Sequence, residues 1–471
     1  MSTLFSTPNP LQIPEIRHRT SQFVSVPDAI SCTRVSKAWH SDFISAVWNT
    51  LDFDIHTTFE NLNSEIICKY GHHIHNILNL KTQPQLNAVS YLSVKNVRVL
   101  EVICGMPVQF RTLCLDLINN NSKHLEALSL EMDPEAQTAK LSNRMISVHA
   151  FVPRSSVSQL TSLKLSAVSF SRNSFANLLR SCPLLTRMDL QGNVVLLPGP
   201  FVDAFQHLGI HTLIAPIDQI FKPDPEFEIL SLGSTLLVHF PNLIRWTCYS
   251  FEETLLIPWE QIKAEVTIYC PKLCEIDSWT SPPPALYNLV ANVFHNLVSV
   301  AFEYQQLSTN SIMALLLHRL TLKEISAYSE GTEGFTEQDE IFSEADPFQE
   351  LGRTLQLLPR ICSNLTVLEL ESHEMDMDFI EEEEWSCKGL WRLRVRIVGL
   401  DSREKISMAL NLWSEKRNME SGDDNEQKKG EQVKDIQTRV ARHLLKFKEL
   451  EWVWLGTRTF HFMLPSSAVF M

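Results

Sequence analysis

The stretch Cys182-Pro183-Leu184-Leu185-Thr186-Arg187-Met188-Asp189-Leu190-Gln191-Gly192-Asn193 constrains this chain more than any other. Leu185, Met188 and Leu190 stand at L-x-x-L-x-L spacing, and Asn193 follows three places later. The last two apolar positions alternate, as side chains do along a strand. Upstream, Ser174 to Arg180 keeps helical spacing. A unit of one short strand and one helix cannot bury its own apolar side. It needs copies of itself stacked against it.

The copies are present. Triplets stand at Val97/Leu100/Val102, Leu125/Leu128/Leu130, Leu160/Leu163/Leu165, Leu243/Trp246/Cys248, Leu273/Ile276/Ser278, Leu297/Val300/Phe302 and Leu322/Ile325/Ala327. Others are Leu365/Leu368/Leu370, Leu390/Leu393/Val395 and Leu450/Val453/Leu455, with weaker ones at Phe110/Leu113/Leu115 and Ile210/Leu213/Ala215. Several steps, such as 160 to 185 and 297 to 322, are 24 or 25 residues. The lead-in also recurs, in Phe240-Pro241-Asn242-Leu243, Cys270-Pro271-Lys272-Leu273, Cys362-Ser363-Asn364-Leu365 and Cys387-Lys388-Gly389-Leu390. Phrase and period together resemble the leucine-rich repeat, which implies an α/β solenoid with parallel strands inside and helices outside. Only the first phrase has Asn at the turn place, and Asp133, Val168, Gln305 and His373 stand there in others. The expected horseshoe is therefore irregular.

Composition narrows the function classes. The formal charge is −14, from 41 basic and 55 acidic residues, and phosphate binding needs a basic footprint, so nucleic acid is not the expected partner. No run of 18 apolar residues occurs, so no membrane span is expected. Met1 to Pro10 has no secretory-leader pattern. Of the ten cysteines, Cys182, Cys270, Cys362 and Cys387 share one place in the repeat. That place suits a small buried side chain, so reduced thiols and a cytoplasmic or nuclear location, or both, are expected.

No catalytic motif is found: no G-x-S-x-G, no G-x-x-x-x-G-K-[ST], no G-x-G-x-x-G and no H-E-x-x-H. The Glu381 to Glu384 run on a solvated loop offers no split of pKa values for acid–base work. His72, His73 and His75 lack further ligands at zinc spacing. The chain reads as a non-enzyme with no metal and no cofactor.

Ahead of the array, Asn9 to Phe53 has a different pattern. It contains Leu11-x-x-Pro14-Glu15-Ile16, then Ser31-Cys32-x-x-Val35-Ser36-Lys37-x-Trp39-His40-x-x-Phe43, then Trp48 and Asp52-Phe53. Pro14 suits a first helical turn, and Asp28 is placed to cap the next helix. These 45 residues hold too small a core to stand alone. They resemble an F-box, with wording like that of the fungal F-box sets, although Thr20 stands where the motif usually has an aliphatic residue. The resemblance implies docking onto a Skp1-like adaptor and, through it, onto the cullin and RING subunits of a ubiquitin ligase. Leu11, Pro14, Ile16, Val35 and Trp39 are the residues it assigns to that contact. The other reading of the segment is a helical cap on the open end of the solenoid.

The expected organisation is a lead over 1–8, an F-box over 9–53, a helical linker over 54–96 and the solenoid over 97–471. Acidic or polar loops are expected at about 329–350, 371–384 and 414–432, with helices at Arg403 to Trp413 and Val433 to Phe447. Ser281-Pro282-Pro283-Pro284 reads as a stiff turn. The residues flanking each inward pair point outward, among them Arg187, Asp189, Arg245, Thr247, Glu275, Asp277, Glu303, Arg392, Arg394 and Arg396. Aromatic residues and Arg dominate interface hot spots, so Tyr249, Trp279, Tyr328, Trp452 and Trp454 are the candidate face for an unidentified target protein.

Overall fold

The computed structural model describes residues 10–55, 64–91, 94–104, 108–132, 158–166, 169–190, 195–197, 205–217, 235–249, 259–279, 287–303, 307–328, 351–400, 402–419 and 435–455. Asn193, the triple proline, the 1–8 lead and the 329–350 loop lie outside these residues. The chain divides into two compact units, Met1–Leu213 and Ile214–Met471. Each is mixed α/β, with parallel strands.

The first unit begins with three helices, α1 (Pro14–Ser21), α2 (Val26–Thr33) and α3 (Lys37–Trp48). Ser25 caps α2 by accepting from the Asp28 N–H, which sits in the first turn, so the cap expected at Asp28 belongs to Ser25. Ser36 caps α3 through the Trp39 N–H. One residue after α3 the chain enters the sheet. Its strands are β1 (Thr50–Asp52), β2 (Asn76–Leu80), β3 (Val99–Cys104), β4 (Ala127–Met132), β5 (Ser162–Leu165), β7 (Arg187–Asp189) and β9 (Thr212–Ile214), side by side in that order. A small parallel pair joins β6 (Ser169–Ser171) to β8 (Val195–Leu197).

Parallel strands therefore begin at Thr50, ahead of the expected start at 97, and 54–96 carries a strand as well as the helices Ser64–Tyr70 and Gln83–Tyr91. The reason is Asn79. Its φ of 56° puts it in the left-handed region, and the β2–β3 register shifts between Ile77 and Leu80. That bulge breaks the two-residue alternation by which a strand is recognised. Asn79 holds the turn by donating from Nδ2 to Asp52 Oδ1 at 2.9 Å.

The weak triplet Phe110/Leu113/Leu115 is not a strand. It lies on the helix Val108–Asn121, whose buried Cys114, Leu117 and Ile118 follow helical spacing. The first step of L-x-x-L-x-L is also a helical step, and this copy lacks the lead-in that distinguishes the others.

In the second unit β10 (Arg245–Tyr249), β11 (Glu275–Trp279), β12 (Ser299–Glu303), β13 (Glu324–Tyr328), β14 (Val367–Met375), β15 (Arg392–Ile397) and β16 (Trp452–Leu455) follow one another in parallel, with a register shift in the β14–β15 pair between Leu370 and Glu374. Inward pairs such as Val300/Phe302, Ile325/Ala327, Leu368/Leu370 and Leu393/Val395 are buried, as the triplets require. The acidic stretch expected as a loop at 371–384 is ordered: β14 runs through to Met375 and the helix Met377–Glu382 follows. Asp376 starts that helix by accepting from the Asp378 N–H at 2.8 Å, and Glu374 pairs with Arg396. Its carboxylates act as a cap and an ion-pair partner. The polar stretch expected from 414 opens inside a helix, Arg403–Met419, and the helix Ile436–Leu444 follows it. Residues 420–432 lie outside the description.

With the asparagine ladder mostly missing, other side chains link successive repeats. Thr161, Thr186 and Thr366 each donate Oγ1 to a carbonyl of the preceding repeat, those of Glu126, Thr161 and Lys323, at 3.1 Å. His207 bridges to the Cys182 carbonyl, and His318 bridges to Val290 while accepting from the Leu297 N–H. Burial lowers the pKa of His318. Cys182, Cys270, Cys362 and Cys387 are all buried free thiols. Burial pushes them up to about 11, 12, 11 and 12, so they pack as small apolar groups.

Candidate functional site

Two surfaces carry the residues singled out by the sequence, one in each unit. The first is the three-helix module. Its interior is small: in α1–α3 only Arg17, Ser21, Ala29 and Phe43 are buried. Leu11 is 42% exposed, Ile16 38% and Val35 62%. Pro14 is exposed too. Trp39 is half-buried and stacks on Phe43, with ring centroids 5.2 Å apart and planes 7° from parallel. Ile13, Phe23, Val26 and Ile30 are further large apolar side chains left open on the same module. Thr20, the departure from the expected aliphatic, returns its hydroxyl to the Ile16 carbonyl at 2.8 Å.

Reasoning from sequence missed the polar hub beneath this surface. Arg17 Nε meets Asp42 Oδ2 at 2.5 Å and Arg17 Nη1 donates to the Leu11 carbonyl at 3.0 Å. At the other end of α3, Trp48 stacks on Tyr70 with centroids 5.3 Å apart. The module is thus joined to β1 by direct chain continuation and to the helix Ser64–Tyr70 by an aromatic contact.

The second surface is the outward face of β10–β16. Tyr249 is the register partner of Trp279, and Glu303 that of Tyr328. Trp452 and Trp454, both half-buried, pair in register with Arg392 and Arg394. The Arg394 guanidinium lies 4.4 Å from the centroid of the Trp454 ring. Burial lowers its pKa while Glu369 opposes the shift. Arg392 pairs with Glu369 at 2.7 Å and Arg396 with Glu374 at 2.8 Å. Ser326 donates to Glu369 at 2.9 Å.

Strand order separates the five aromatic candidates. Tyr249 and Trp279 sit on neighbouring strands, Tyr328 is two strands further on, and the Trp452/Trp454 pair three beyond that. At about 4.8 Å per strand, the strands that carry Trp279 and Trp452 lie about 24 Å apart along the sheet. Thr247 and Asp277, expected outward and open, are nearly covered, as is Asp189 in the first unit. Asp277 is approached by Arg245 at 3.4 Å.

In the first unit the outward face carries Lys164 against Glu131 at 2.5 Å and Lys81 against Asp54 at 2.7 Å. Burial raises the pKa of Glu101 between them, helped by Glu131. Among the described residues no three His, Cys, Asp or Glu side chains are grouped to hold a metal ion. No described helix is long and apolar enough to cross a membrane. No protein-family model matches the chain, and no curated protein matches it.

Proposed function

We propose that this chain is the substrate-recognition adaptor of an SCF-type ubiquitin ligase, an F-box protein whose leucine-rich-repeat solenoid holds a target. The observation that carries the reading is that Leu11, Pro14, Ile16 and Val35 are all open on a module whose interior is small. Those residues belong to the wording that resembles the F-box, and covering them with a partner's apolar groove stabilises a complex by roughly 1 kcal/mol or more each. The F-box and cap readings are compatible: α3 leads through one residue into β1, the first strand of the sheet, while the apolar residues of the module stay open.

On this reading the chain performs no chemistry itself. A Skp1-like adaptor links it to cullin and RING subunits in the cytoplasm or nucleus, and the solenoid raises the local concentration of a target for ubiquitin transfer and degradation. Replacing Leu11 and Pro14 together by Ala is expected to reduce co-purification with a purified Skp1-like adaptor at least tenfold, about 1.4 kcal/mol. Failure of the intact chain to bind that adaptor leaves a protein-interaction scaffold without a ubiquitin role. For the target face, Trp279→Ala with Tyr328→Ala is expected to lower recovery of proteins captured when the proteasome is inhibited. Undiminished capture by a folded double variant removes those two positions from the binding face.

A further inference from the structure

Arg17 is a charged side chain where a module this small has little room for one: it is 7% exposed. A buried ion pair adds little net stability, because removing both charges from water offsets their attraction. What a guanidinium supplies in such a place is direction, since its planar fork presents donors at fixed angles. Here the two arms reach different elements. Nε is held by Asp42 of α3 at 2.5 Å, and Nη1 donates to the carbonyl of Leu11 at 3.0 Å. One side chain of α1 therefore fixes both the packing of α1 on α3 and the turn Pro10–Gln12 that precedes it. The turn also carries a bond from the Ile13 N–H to the Pro10 carbonyl at 3.1 Å. Leu11, Pro14 and Ile16 lie immediately around this hub and are exposed.

We propose that Arg17 is the positioning residue of the docking face. Its fork holds the Leu11 turn against α1 and α3, so that Leu11, Pro14 and Ile16 meet an adaptor as one preformed surface. A preformed surface avoids the ordering cost that a loose turn incurs on binding. The inference rests on the docking role proposed above, and it adds a residue that touches no partner.

The test uses the full chain with Arg17→Lys, which keeps a charge for Asp42 but loses the second arm. A second variant, Arg17→Asp with Asp42→Arg, restores the ion pair while moving the fork to α3. Both are expected to stay folded, with α1–α3 helicity retained, and to lose about tenfold in affinity for a purified Skp1-like adaptor, the worth of one hydrogen bond from a charged donor. Hydrogen exchange at the Ile13 amide, which reports on the turn without any adaptor, is expected to quicken in both. Wild-type affinity with unchanged Ile13 exchange in Arg17→Lys overturns the proposal. If the wild-type chain itself does not bind the adaptor, the docking reading fails, and Ile13 exchange alone decides whether Arg17 fixes the turn.

Discussion

Lowering the pH from 7 to 5 is expected to destabilise the second unit by about 2 kcal/mol through one side chain, His443. This histidine lies in the last turn of the helix Ile436–Leu444 and is buried against Trp385, edge to face with centroids 4.7 Å apart, and against Phe447 at 5.3 Å. Neither ring nitrogen has a hydrogen-bond partner among the described residues. Burial depresses its pKa to about 3, and Lys446 and Lys388 add to the shift. The unfolded chain takes up the proton near the ordinary value of about 6.5, well before the folded chain does. The stabilisation is thus complete above pH 6.5 and is lost as pH falls from 6.5 towards 3, at up to about 1.4 kcal/mol per pH unit. Denaturant midpoints measured between pH 7 and 5 for wild type and His443→Phe separate this group from the carboxylates and from His318. The variant keeps an aromatic ring in the cluster and is expected to lose about one proton from the pH slope. Parallel slopes in the two proteins would rule the assignment out.

The same helix shows where sequence reading reached its limit. Its spacing from Val433 to Phe447 announces a helix, and the apolar Val440, Leu444 and Phe447 announce its buried face. What that face packs against is not local information: Trp385 stands 58 positions before His443, and Arg439 crosses to Asp378 and Glu381 at 2.6 and 2.7 Å. The solenoid-like core was legible because each rung repeats the same inward pair, so one phrase predicts many contacts. It failed at Asn79, where a left-handed residue shifts the period, and at 371–384, where Glu374, Asp378 and Glu381, which read as solvated, pair with Arg396 and Arg439. The candidate surfaces divide in the same way. The open apolar residues of the helical module and the Trp-x-Trp alternation of β16 are local patterns. The Arg17–Asp42 pair and the Arg392–Glu369 pair join residues more than 20 positions apart, and no period links them.

Trp246→Ala is expected to cost about 3–5 kcal/mol, because it empties a site filled by one of the two fully buried tryptophans among the described residues of the second unit. Trp246 takes the place that a smaller aliphatic fills in most copies, and Nε1 donates to the Ala215 carbonyl at 3.3 Å. Loss of the ring therefore leaves both a cavity and a buried acceptor without its donor. Trp246→Phe keeps most of the ring volume and gives up the hydrogen bond, so its cost is expected near 1–2 kcal/mol. In a repeat array each rung is stabilised mainly by its neighbours, so damage of this kind spreads along the stack with decreasing effect. Hydrogen exchange of the Ala variant should show β10 and β11, paired through Trp246 and Ile276, losing protection first, with β14 and β15 the last to follow. Uniform loss across all seven strands would mean that the unit unfolds as a single cooperative body. The Phe variant separates the two contributions: if it is as damaged as Ala, the hydrogen bond to Ala215, and with it the anchoring of the segment before β10, outweighs the volume of the ring.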